Sequence, residues 1–131
     1  MLLYNTADPS YQLPLKDCVL QSLAPFKGLY MPVSIPKLDN DFLKNIENYS
    51  FEELSFLVAK NLIGNYIEEL ELRDIIQRAI DFPAPLVKVS EQIYSLELWH
   101  GPSLAFKDFG ARFMAELMFY FTKESNQKLT I

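Results

Sequence analysis

Residues 99–113 read Trp99-His100-Gly101-Pro102-Ser103-Leu104-Ala105-Phe106-Lys107-Asp108-Phe109-Gly110-Ala111-Arg112-Phe113. The run sets one lysine at the mouth of an apolar helix, just after a strand-like segment and a Gly-Pro turn. Lys107 is the only charge between His100 and Asp108, and Leu104, Ala105, Phe106 and Phe109 flank it. Two influences favour the neutral amine there: apolar walls disfavour an ammonium ion, and the positive end of the helix dipole repels it. A neutral lysine amine is the nucleophile that condenses with carbonyl compounds. The competing reading is a lysine that snorkels from a helix start to water.

Just upstream of this run the sequence period is two. Residues 86–90 and 93–98 predict two strands separated by Glu91-Gln92, with Tyr94, Leu96 and Leu98 on one face and Ser95 and Glu97 on the other. Downstream, a helix is predicted over about 107–120. Its apolar positions (Phe109, Phe113, Met114, Leu117, Met118, Phe121) go more than halfway round, as for a helix covered on several sides. Lys128-Leu-Thr-Ile131 reads as a strand just begun.

Phe82-Pro83-Ala84-Pro85 marks the boundary, because the pattern before it is mostly helical. Residues 3–6 suit a short strand. Pro14 suits a first helical turn, with Leu15, Val19, Leu20 and Leu23 as its stripe and Pro25 and Gly28 as its stop. Residues 29–33 read as extended. A short helix is expected after Asp39 with Phe42, Leu43 and Ile46 inward. Ser50 and Glu53 form a capping box, with Phe51, Leu54, Leu57, Val58 and Leu62 as the buried face behind it. Leu72, Ile75, Ile76 and Ala79 stripe the next helix, and Glu69–Arg73 and Asp74–Arg78 are expected surface pairs. Two domains follow, over 1–83 and 84–131.

The chain has 131 residues, half of them hydrophobic, which fits a globular core rather than disorder. A net charge of −5 argues against nucleic acid or a polybasic membrane role. No apolar run approaches the ~20 residues of a membrane span, and the N-terminus lacks the pattern of a signal peptide. Cys18 stands alone, which fits a reducing cytoplasm, and it reads as a small buried hydrophobe. One histidine with one cysteine excludes a typical zinc site, so no metal is expected.

The run from His100 to Met114 resembles the cofactor-lysine segment of the threonine synthases, pyridoxal phosphate (PLP) enzymes of fold type II. The usual family form has threonine at position 103; Ser103 preserves the hydroxyl. Gly28-Leu29-Tyr30-Met31-Pro32 with Ile35-Pro36 resembles a second family segment, and Phe82-Pro83-Ala84-Pro85-Leu86 resembles the linker into the cofactor domain. The resemblance implies an α/β protein: a small, mainly helical N-terminal domain with short strands, then the first strands and the lysine-bearing helix of a truncated PLP domain. It implies conversion of O-phospho-L-homoserine and water into L-threonine and phosphate, with Lys107 holding PLP as a Schiff base and shuttling protons once released. Phe106 would pack near the cofactor ring. His100, Ser103, Asp108 and Arg112 are candidates for substrate contact or for shaping the site. Ser103 is equally suited to capping the lysine helix, and Asp108 to pairing with Arg112.

Family members are longer, and a phosphate cradle needs a glycine-rich loop of backbone amides. The four glycines here, Gly28, Gly64, Gly101 and Gly110, are too dispersed to form one. The expectation is therefore an N-terminal portion that is inactive alone, does not bind PLP by itself, and needs the remainder of the catalytic domain as partner. Apolar surface left on the lysine helix would favour self-association. Two alternatives stand beside this reading. One is a fold type II enzyme of the threonine dehydratase kind, whose lysine segment usually lacks the His-Gly-Pro prefix. The other is a non-catalytic interaction module derived from the family.

Overall fold

The structure is a computed structural model that describes residues 1–123. The expected strand at 128–131 lies outside the described residues. Helices and strands mix along the chain. Strands β1 (Leu2–Asn5) and β2 (Asp8–Pro14) lead into helix α1 (Leu15–Gln21), then strand β3 (Tyr30–Pro32) and helix α2 (Asn40–Lys44). Helices α3 (Phe51–Ile63) and α4 (Glu69–Ala79) precede the hairpin β4 (Leu86–Ser90) and β5 (Ile93–Leu96). Helix α5 (Lys107–Thr122) closes the described chain.

The first sheet has order β2-β1-β3, antiparallel throughout, with Leu3 facing Leu13 on one side and Pro32 on the other. Sequence reading missed β2. Its prolines, Pro9 and Pro14, remove ladder donors, which an edge strand tolerates. The second sequence motif has its reason here. Asn5 is fully buried, donates to the Pro25 carbonyl at 2.9 Å and accepts from the Ala7 N–H at 2.9 Å. A Cβ on Gly28 would lie 1.7 Å from Asn5 Oδ1, so only glycine lets β3 approach β1.

The core joins Leu3 of β1 and Leu15, Cys18 and Val19 of α1 to Phe56 and Ile63 of α3. Leu72, Ile75 and Ile76 of α4 and Leu117 of α5 complete it. Each such side chain contributes about 1.5–3 kcal/mol when fully buried. Helix α4 buries the expected stripe, Ala79 included. Helix α3 carries the expected capping box but turns a different face inward: Phe56 and Ile63 are buried, while Phe51 and Val58 are exposed.

Helix α1 follows Pro14 as expected, yet it stops at Gln21. Ser22 takes φ +57°, and Leu23 is thrown into solvent. Asp39 caps α2 through bonds to the Asp41 and Phe42 amides, but Leu43 and Ile46 are exposed, and Phe42 is only half-buried. That short helix lies on the core rather than in it.

The hairpin forms, with β4 at the expected residues and β5 ending at Leu96, two residues short of the expected 98; Tyr94 and Leu96 are more exposed than Ser95. Helix α5 lies against α1 and α4. Of the predicted apolar positions Leu117 is buried, Phe109, Phe113, Met118 and Phe121 are half-buried and Met114 is exposed, so the covering on several sides is partial; Phe119 is exposed as well. Arg78 of α4 binds Glu116 of α5 at 2.7 Å in place of the expected Asp74, because α5 brings a carboxylate across the helix pair. Lys123–Glu71 is a second bridge between the two helices, at 2.7 Å. The expected Glu69–Arg73 pair forms at 3.0 Å, and Lys60 joins Glu69 as well.

Candidate active site

The segment that leads to Lys107 is built on Phe82. This buried ring packs against Phe109 in a tilted contact at 4.5 Å between centroids, and Phe51 meets Phe109 edge-on at 5.9 Å. Above Phe82 the chain turns through Gly101, whose missing Cβ would sit 2.9 Å from Phe82 Cζ and 2.4 Å from Asp108 Oδ2. The turn is closed by the Leu104 N–H donating to the Gly101 carbonyl at 3.1 Å.

Lys107 is the first residue of α5, at the predicted helix mouth. The apolar enclosure does not. Lys107 is exposed, and so are Leu104 (75%) and Phe106 (65%), because no described element lies over this end of α5. No described residue bonds the Lys107 amine.

Asp108 is buried, and both of its oxygens are engaged by Ser103: the Ser103 N–H donates to Oδ2 at 2.8 Å and the Ser103 hydroxyl to Oδ1. Two expectations are corrected together. Ser103 does not cap α5, which has no side-chain cap. Asp108 does not pair with Arg112. The guanidinium of Arg112 points to the end of α4 instead. It donates to the Ala79 carbonyl at 3.0 Å and the Arg78 carbonyl at 2.6 Å, pairs with Asp81 at 2.7 Å, and lies 5.7 Å from the Phe82 ring. The last carbonyls of a helix lack partners within it, and a cation there also opposes the negative end of the dipole.

His100 Nε2 binds Glu97 Oε2 at 2.7 Å, and its ring stacks on Trp99. Cys18 is far from this turn in sequence and buried as expected. Burial pushes its thiol up, with Asp17 adding to the effect, so it is a packing residue rather than a nucleophile. Sequence reasoning missed Phe82 and Gly101 as parts of the site's support. The aromatic before Pro83 and the glycine seven residues before Asp108 were the signals.

The fold is thus a mixed helix-and-strand protein that displays an exposed amine at a helix N-terminus. A family profile described as "Threonine synthase N terminus" matches residues 3–80. Threonine synthase from Haemophilus influenzae is 42% identical over 90% of this chain and 27% of its own length. That from Serratia marcescens is 36% identical over 90% of this chain and 28% of its own length. The crystal structure of threonine synthase from Escherichia coli superposes with a TM-score of 0.88 at 34% identity, covering 93% of this chain and 28% of that one. A PLP-bound threonine synthase from Brucella melitensis gives the same TM-score at 27% identity, over 98% of this chain and 29% of that one. The chain belongs to the threonine synthase family, and it spans somewhat over a quarter of the length of these relatives.

Proposed function

We propose that this chain is the lysine-bearing N-terminal part of a PLP-dependent, fold type II threonine synthase acting in the cytoplasm on O-phospho-L-homoserine and water. The products are L-threonine and phosphate. The observation that carries the reading is Lys107: an exposed amine with no described partner, first in its helix, inside a segment of the family's form. Residues 1–83 would form the N-terminal domain and 84–131 the start of the cofactor domain.

The donor set fits the aldehyde end of PLP, because an unengaged primary amine is the group that condenses with it. It does not extend to the phosphate end, for which the dispersed glycines offer no cradle; the remainder of the catalytic domain would supply it. When bound, PLP stores the electrons released at the substrate carbons. Lys107 Nζ would hold the cofactor and, once displaced, take and return protons at the α carbon. Phe106, with its ring in solvent, would pack beside the cofactor ring. His100, oriented by Glu97, would face the substrate at the end of the β5 segment. Arg112 would shape the site by holding α5 against α4 rather than by binding phosphate. Alone, the chain is expected to be inactive.

The test uses a chimera in which this chain replaces the matching region of the Haemophilus influenzae relative. Phosphate release from O-phospho-L-homoserine is expected, and Lys107→Ala is expected to abolish it. A chimera that turns over threonine or serine instead would point to the dehydratase class, and a folded chimera inert to all three would point to a non-catalytic module.

A further inference from the structure

We infer that Asp108 is a positioning residue for Lys107, gripping Ser103 across the turn that Gly101 makes possible; the inference rests on the role proposed for Lys107. Asp108 is 7% exposed, and a buried carboxylate persists where hydrogen bonds replace its water. Its partners are the N–H and hydroxyl of one residue, five positions earlier. The space it occupies is the space a side chain at position 101 would need, so the carboxylate and the glycine are matched.

Between the two gripped residues, Leu104 has φ +57°, a conformation that leucine holds only where its surroundings impose it. The Asp108 N–H donates to the Ala105 carbonyl at 3.1 Å and closes the other end of the turn. Phe106, at the N-cap position, makes no capping bond, so the direction in which the chain enters α5 is fixed by Asp108 and not by a cap. Lys107 adjoins Asp108 in sequence. Whatever sets the carboxylate therefore sets the start of the lysine side chain, and a displacement of about 1 Å there costs on the order of a hundredfold in rate.

The test compares Asp108→Asn, Ser103→Ala and Ser103→Thr in the same chimera. It measures the rate at which borohydride fixes PLP to Lys107 per folded molecule, and kcat and KM for O-phospho-L-homoserine. Asp108→Asn keeps one acceptor oxygen, replaces the other with an NH2 donor and removes the negative charge that both Ser103 bonds address. It is expected to slow fixation and lower kcat by about tenfold or more while KM stays within about threefold. Ser103→Ala loses one bond to a charged group and is expected to lose about three- to tenfold; Ser103→Thr, which keeps the hydroxyl, stays within about twofold. Unchanged fixation and kcat in both Asp108→Asn and Ser103→Ala would overturn the inference, as would equal losses in Ser103→Ala and Ser103→Thr. If Asp108→Asn does not fold, the two Ser103 variants decide. Phosphate release that survives Lys107→Ala would refute the parent reading instead, and is a separate result.

Discussion

Ile75 is fully buried at the centre of α4, surrounded by side chains from the other helices, so truncating it leaves a hole the backbone cannot close. Ile75→Ala is expected to cost about 2–5 kcal/mol in urea unfolding; a loss under about 1 kcal/mol would show that this packing is not continuous. Gly101→Ala sets a Cβ against the Asp108 carboxylate and the Phe82 ring, and is expected to destabilise by about 1–3 kcal/mol. At the start of α3 the Ser50 N–H holds the Glu53 carboxyl below its ordinary value, with the Ser50 side chain second. Glu69 is held down by Lys60 first, then Arg73. A carboxyl depressed on folding adds stability above its unfolded value, and this is lost as pH falls through the folded one. Acidification through the carboxylate range is therefore expected to lower the urea midpoint, and Glu53→Gln to flatten that dependence. Identical slopes with and without Glu53 would contradict the cap's role.

Elements differ in how firmly they are held. The β4–β5 hairpin is exposed on both faces, and two strands alone are marginal in water, whereas α4 buries a full stripe. Amide exchange in the hairpin is expected to be faster than in α4 by at least about tenfold; equal protection would show that the two unfold as one unit. The same contrast explains what the sequence made legible. The stripe of α4, the capping box of α3, the hairpin and the start of α5 follow from local spacing and were readable. Non-local contacts were not. β2 exists because β1 offers it an edge, and the inward face of α3 is chosen by α4. Arg112 chose the carbonyls of α4 over Asp108 because the fold brings that helix end within reach. The place of Lys107 at the helix mouth was identifiable from the run, but its exposure was not, because that depends on what lies over the helix mouth.

At the scale of the whole molecule, exposed apolar side chains occur along much of the described chain, on the β4–β5 hairpin as well as on α5. Leu104, Phe106, Met114 and Phe119 are all exposed along α5 and the turn before it. A shallow groove of about 430 Å³ between α1, the Gly28–Met31 segment and α5 adds Leu23 and Leu29. Exposed apolar area of this kind favours association. Sedimentation of the chain is expected to depend on concentration, and Phe119→Glu to reduce that dependence; a monomer at every concentration would contradict it. No described helix is long and apolar enough to cross a membrane. The central claim concerns the amine at the mouth of α5, and the most direct measurement of it is chemical. Borohydride reduction of the PLP-loaded chimera, followed by peptide mapping, is expected to place a single pyridoxyl group on Lys107. Label spread over several lysines, or absent from Lys107, would contradict the account.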